Sequence, residues 1–71
     1  MTTLDDVIQE RLEKKMYEFM VKDGYTTYYH SYIKTQLQFS EEDIEKASIG
    51  LENKGLIFSG SRISRCYILT Q

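Results

Sequence analysis

The chain has 71 residues, of which 41% are hydrophobic and 28% charged, with a net charge of −2 and a pI near 5.3. A chain this short forms one domain, here residues 1-71, and buries only about 60% of its unfolded surface, so its stability rests on tight helix packing or on association. Such a balance excludes a disordered tail and any global pull toward nucleic acid, although a local basic strip would suffice for binding.

Thr3-Leu-Asp-Asp6 has the pattern of a capping box, and it predicts a first helix that ends at Asp23-Gly24. Leu4, Ile8, Leu12, Met16, Phe19 and Met20 recur at helical spacing as one broad apolar face. That length suits a dimer interface as well as a core. Tyr25-Thr26 reads as a brief extended segment. Thr27 is the expected N-cap of a helix over Tyr28 to Leu37, with Tyr29, Ile33 and Leu37 as its buried stripe and Tyr28 and Tyr32 on a more exposed side. Ser40 is a clear N-cap for a third helix, with Asp43 at N3 and Phe39 placed to staple onto Ile44. Ile44, Ala47, Ser48 and Leu51 then face inward, and Gly55 is the C′ residue. Leu56-Ile57-Phe58, a polar turn over Ser59-Gly60-Ser61-Arg62, and Ile63 to Thr70 suit a β-hairpin. No proline interrupts any element.

Tyr32-Ile-Lys-Thr-Gln-Leu-Gln-Phe-Ser-Glu-Glu-Asp-Ile44 resembles the helix–turn–helix passage of many bacterial and phage regulators. Leu51-Glu-Asn-Lys-Gly-Leu-Ile57 is similar to the junction that introduces their wing. The resemblance to the winged helix-turn-helix family covers residues 25 to 70. It implies an α+β fold of three helices followed by a C-terminal β-hairpin wing, and it implies recognition rather than catalysis. Two departures stand out. Gln38 replaces a frequent turn glycine, and Glu41-Glu42-Asp43 opens the recognition helix where DNA readers usually place Ser, Thr, Arg, Gln or Asn.

The charges divide the functional expectation. On a helical wheel Glu42, Lys46, Ile49 and Asn53 point outward, flanked by an acidic ridge of Glu41, Glu45 and Glu52. Duplex DNA repels such a ridge, since most affinity comes from neutralising phosphates. It could equally be a solvated face paired with cations of a neighbouring helix. The hairpin instead carries Arg62 and Arg65 and no acid after Gly55. The first expectation is therefore a small DNA-binding regulator, dimeric through its first helix. It would seat the third helix in the major groove and use Lys34, Lys46, Asn53, Arg62 and Arg65 on bases and phosphates. The second is a protein-docking winged helix, such as an antirepressor, an inhibitor of a nucleic-acid enzyme or an adaptor, with Tyr28, Tyr32, Glu41, Glu45, Ile49 and Glu52 as its contact face.

Arg11, Lys14, Lys15 and Lys22 on the first helix read as surface cations in weak ion pairs, or as a basic docking strip. His30 and Cys66 are single residues of their type on different elements, so neither a metal site with standard ligands nor a cofactor or catalytic site is expected. No apolar run approaches the roughly 18 residues of a membrane span. The N-terminus lacks the order of a signal peptide, and a lone cysteine suits a reducing compartment, so a cytoplasmic location is expected.

Overall fold

The fold is taken from a computed structural model that describes residues 3–60 and 65–70. In chain order it runs α1 (Leu4–Asp23), β1 (Thr27–Tyr29), α2 (His30–Leu37), α3 (Glu41–Asn53), β2 (Ile57–Ser59) and β3 (Cys66–Leu69). It is a small α+β fold of three helices and a three-stranded antiparallel sheet, ordered β1-β3-β2. The sheet is thus not the C-terminal hairpin alone, because β3 lies in the middle with β1, a strand from between α1 and α2, on its far side.

The helix limits follow local chemistry. Thr3 Oγ1 accepts from the Asp6 N–H and the Asp6 carboxylate accepts from the Thr3 N–H, each at 3.2 Å, so two first-turn donors are satisfied reciprocally. Gly24, at φ 88°, ends α1 in the left-handed region where an L side chain would be strained. The Tyr28 hydroxyl donates to the Met20 carbonyl at 2.6 Å and secures the same helix end from β1. Ser40 Oγ accepts from the Asp43 N–H at 3.1 Å and starts α3.

One expectation fails in register. Tyr29 was expected in the core and Tyr28 at the surface, whereas Tyr28 is 2% exposed and Tyr29 62%. The segment is paired strand rather than the first turn of α2: Tyr28 lies opposite Tyr67 and Tyr29 opposite Cys66. Strand side chains alternate at period two, so the pairing sends Tyr28 inward with Tyr67 and turns Tyr29 outward. The helix consequently starts at His30 with Tyr29 as its N-cap, not at Tyr28 with Thr27 as its N-cap, and the extended segment sits two residues beyond Tyr25-Thr26.

The core joins Met16 and Met20 of α1, Ile33 of α2, Phe39, and Ile44, Ala47 and Leu51 of α3 to Tyr28, Ile57 and Tyr67 on the inner face of the sheet. The inward set foreseen for α3 is the observed one. On α1 the apolar stripe is only partly used. Leu4 is 75% exposed and Ile8 43%, because the first turns of this helix overhang the core.

Candidate functional site: the third helix and the C-terminal hairpin

With Ile44, Ala47, Ser48 and Leu51 buried, α3 presents Glu41, Glu42, Glu45, Lys46, Ile49, Glu52 and Asn53 to solvent. Its opening acids lie at the positive end of the helix dipole, which is where carboxylates are stabilised. They are not left as a bare ridge. Lys34 Nζ of α2 lies 2.9 Å from Glu41 Oε1, and Arg65, just before β3, reaches Glu41 Oε2 at 3.7 Å and Glu45 Oε1 at 3.2 Å. Lys46 pairs with Glu42 at 3.2 Å, one turn back, and the Ser59 hydroxyl of β2 donates to Glu52 at 3.0 Å. The solvated, internally paired face is therefore the arrangement observed.

Glu41 is the hub. The hydrogen bond from Lys34, and after it that from His30, holds its carboxyl below the ordinary value. His30 Nε2 lies 3.0 Å from Glu41 Oε2 while Nδ1 lies 2.7 Å from the Tyr67 hydroxyl. A neutral imidazole satisfies both contacts in one tautomer: the Tyr67 O–H donates to Nδ1 and the Nε2–H donates to Glu41. The series ties β3 to α2 and α2 to α3. A phenol, an imidazole and a carboxylate in line also form a proton relay in outline, but Tyr67 is 3% exposed, so its hydroxyl offers nothing to a substrate. Burial pushes that phenol's pKa up. The series acts as a strut.

Of the residues expected to contact DNA, Lys34, Lys46 and Arg65 are each held by an α3 carboxylate, Asn53 is exposed at the last turn of α3, and Arg62 lies outside the described residues. Of those expected to contact a protein, Glu41, Glu45, Glu52 and Ile49 do share the outward side of α3. The tyrosines do not join them. Tyr28 is buried, which removes it from any contact face. The ring of Tyr32 packs 6.0 Å from Phe19, and its hydroxyl donates to Asp23 at 3.3 Å, so it belongs to the α1 side. Between α3 and the hairpin runs a shallow groove lined by Glu45, Ser48, Ile49, Gly60 and Arg65. Ile49, 58% exposed, stands on its α3 side.

A second polar cluster escaped the sequence reading. Glu13 on α1 is 5% exposed and lies against α3. Its Oε2 accepts from Gln9 Nε2 at 2.8 Å, its Oε1 is 2.6 Å from Lys54 Nζ, and Gln9 Nε2 also donates to the Lys46 carbonyl at 2.6 Å. The paired carboxylate raises the pKa of Lys54. Gly50 makes the room, since a Cβ there would overlap the Glu13 carboxylate and the Gln9 amide. The available signal was a glycine in the interior of a strongly helical segment, which usually has a packing reason.

No family model, no curated protein and no solved structure matches the chain. Among the described residues no group of three His, Cys, Asp or Glu side chains is placed to hold a metal ion, and no helix is long and apolar enough to cross a membrane.

Proposed function

We propose that the chain is a winged-helix recognition module that docks a protein surface through α3 and its C-terminal hairpin. The element order α1-β1-α2-α3-β2-β3, with β3 central, supports the winged-helix reading, as does the tight α2–α3 turn through Gln38 at φ 55°. One observation carries the choice of partner. Every described cation of the expected DNA face already lies within 4.0 Å of an α3 carboxylate. A phosphate would have to displace those carboxylates and leave them unpaired beside the duplex, so the counterion release that drives DNA binding is largely lost. A protein surface can instead keep the ion pairs as a polar rim around Ile49. An antirepressor, an inhibitor of a nucleic-acid enzyme or an adaptor would fit this chemistry, and the DNA-binding regulator is the competing reading.

The test places a photo-crosslinking amino acid at Ile49 in the source organism and, in parallel, measures retention of a mixed duplex pool by the purified chain. The expected result is a discrete protein adduct that disappears with Glu45→Lys, and no duplex retention at physiological salt. Duplex retention abolished by Arg65→Ala would reverse the assignment in favour of DNA.

A further inference from the structure

Outside the α3 face, one surface combines an apolar floor with cations that the fold leaves unanswered. It is the groove between α1 and the α2–α3 turn. Ile8 and Leu12 of α1 form one wall, Leu37 and Phe39 the other, and Arg11 and Lys15 stand on the α1 rim. The overhanging Leu4, 75% exposed, lies one turn before Ile8 on the same helix and extends the apolar strip toward the N-terminus. From Leu4 to Leu12 the strip runs about 12 Å along the helix axis, a little over two turns.

The cations are what give this groove its sign. Lys14, Lys34, Lys46, Lys54 and Arg65 each have a carboxylate within 4.0 Å. Arg11, Lys15 and Lys22 have none among the described residues, and of these Arg11 and Lys15 stand one helical turn apart, where like charges repel. The fold thus keeps two mutually repelling cations beside exposed Ile8 and Leu4. Among the residues lining the groove Asp43 is the one acid, across from them. α3 is thus an acidic side, and although α1 as a whole carries six acids against four cations, its rim on this groove is locally positive through Arg11 and Lys15. An acidic ligand is turned away from α3 and drawn to the rim that Arg11 and Lys15 form.

We infer that this groove takes an acidic, amphipathic helical segment of a protein partner. Its apolar side chains seat on Ile8, Leu12, Leu37 and Phe39, and its carboxylates pair with Arg11 and Lys15. Anchors at i, i+3, i+4 and i+7 match a floor of this length, as in other helix-in-groove recognition. The carboxylates relieve the repulsion between the two cations, and the apolar floor separates such a ligand from nucleic acid, which would use the cations but not the floor.

The probe is a labelled synthetic peptide of about 15 residues with leucines at those anchor positions and glutamates along one flank, compared with a scrambled peptide of identical composition. Binding is read by fluorescence anisotropy, and the site by amide chemical-shift changes in the full chain. The amphipathic peptide is expected to bind with shifts confined to Ile8–Lys15 and Leu37–Phe39. Arg11→Glu with Lys15→Glu, and separately Ile8→Asp, should each weaken it by at least about tenfold, with circular dichroism unchanged because all three positions are exposed. Ile49→Ala on the α3 face should leave it unaltered, so this site and the α3 reading stand or fall separately. Equal binding of the scrambled peptide, insensitivity to the charge reversal, competition by a short duplex DNA, or a dimer in sedimentation that closes the groove with a second copy would each overturn the inference.

Discussion

Gly50 and Glu13 define each other. At an ordinary interior helix position, Gly→Ala gains about 1 kcal/mol from reduced backbone entropy. Here a Cβ displaces the Glu13 carboxylate from Gln9 and Lys54, and a buried carboxylate that loses its partners forfeits more than that gain. Gly50→Ala is therefore expected to lower the urea midpoint of the chain, and to raise it when Glu13→Ala is already present, a reversal that a double-mutant cycle measures. His30 offers a second single-residue test. Tyr67→Phe removes the donor to Nδ1 and should cost about 1 kcal/mol, whereas His30→Phe strands both the buried phenol and its tie to Glu41 and should cost about 2–3 kcal/mol. The pH dependence has two edges. Glu41, held below its ordinary value of 4.5, contributes stability that is present above that value and is lost as pH falls through the folded-state pKa. Lys54, raised above 10.5 by Glu13, contributes stability that is complete below that value and is lost as pH rises through the folded-state pKa. Melting temperatures of wild type and Glu41→Gln should differ at about pH 6 and converge toward about pH 3. A difference that persists at acid pH would mean the carboxylate charge is not what Glu41 supplies.

At the level of whole elements, the contrast between Tyr28 and Tyr29 is the sharpest. Tyr28 fills the core and fixes the end of α1, while Tyr29 faces outward beside Cys66. Truncation to alanine should cost about 3–5 kcal/mol at Tyr28 and under about 0.5 kcal/mol at Tyr29, read as shifts in denaturant midpoint. Costs in the opposite order would restore the helix-first register. The reason the sequence misplaces this pair is physical. A strand of three residues, Thr27–Tyr29, carries too little pattern to announce itself, and its register is imposed by β3, nearly forty residues later. Where the signal is local, it reads correctly. Thr3 with Asp6, Ser40 with Asp43, and the left-handed Gly24 each act within a few residues, and each element limit they mark is the observed one. The candidate site follows the same division. Ile44, Ala47, Ser48 and Leu51 fix which side of α3 faces outward, so its surface set was readable from helical periodicity. That Lys34 and Arg65 would fold over Glu41 and Glu45 was not, because those pairs join α2 and the hairpin to α3 across the tertiary structure.

For the molecule as a whole, shape and charge meet along α1. The Cα radius of gyration is 11.6 Å, close to the roughly 11 Å of a compact chain of this length, yet the longest dimension is 35 Å against 24 Å for the others. A 20-residue helix spans about 30 Å, so α1 sets the long axis and its N-terminal turns project past the packed layers. Across the short axis the α3 carboxylates restrain the cations that would otherwise make a continuous basic strip from α2 to the hairpin. Reversing Glu41 and Glu45 to lysine tests that restraint directly. It adds two cations and releases Lys34 and Arg65, four in all, so non-specific duplex binding should appear with a log–log salt slope of about −3.6, whereas the wild-type chain should show no measurable slope at about 150 mM salt. Anisotropy titrations of a short mixed-sequence duplex over a range of salt concentrations give both slopes, and thermal melts establish that the variant remains folded. A wild-type slope already near the variant's would mean that phosphates displace the carboxylates without difficulty, and the electrostatic case for a protein partner would then be lost.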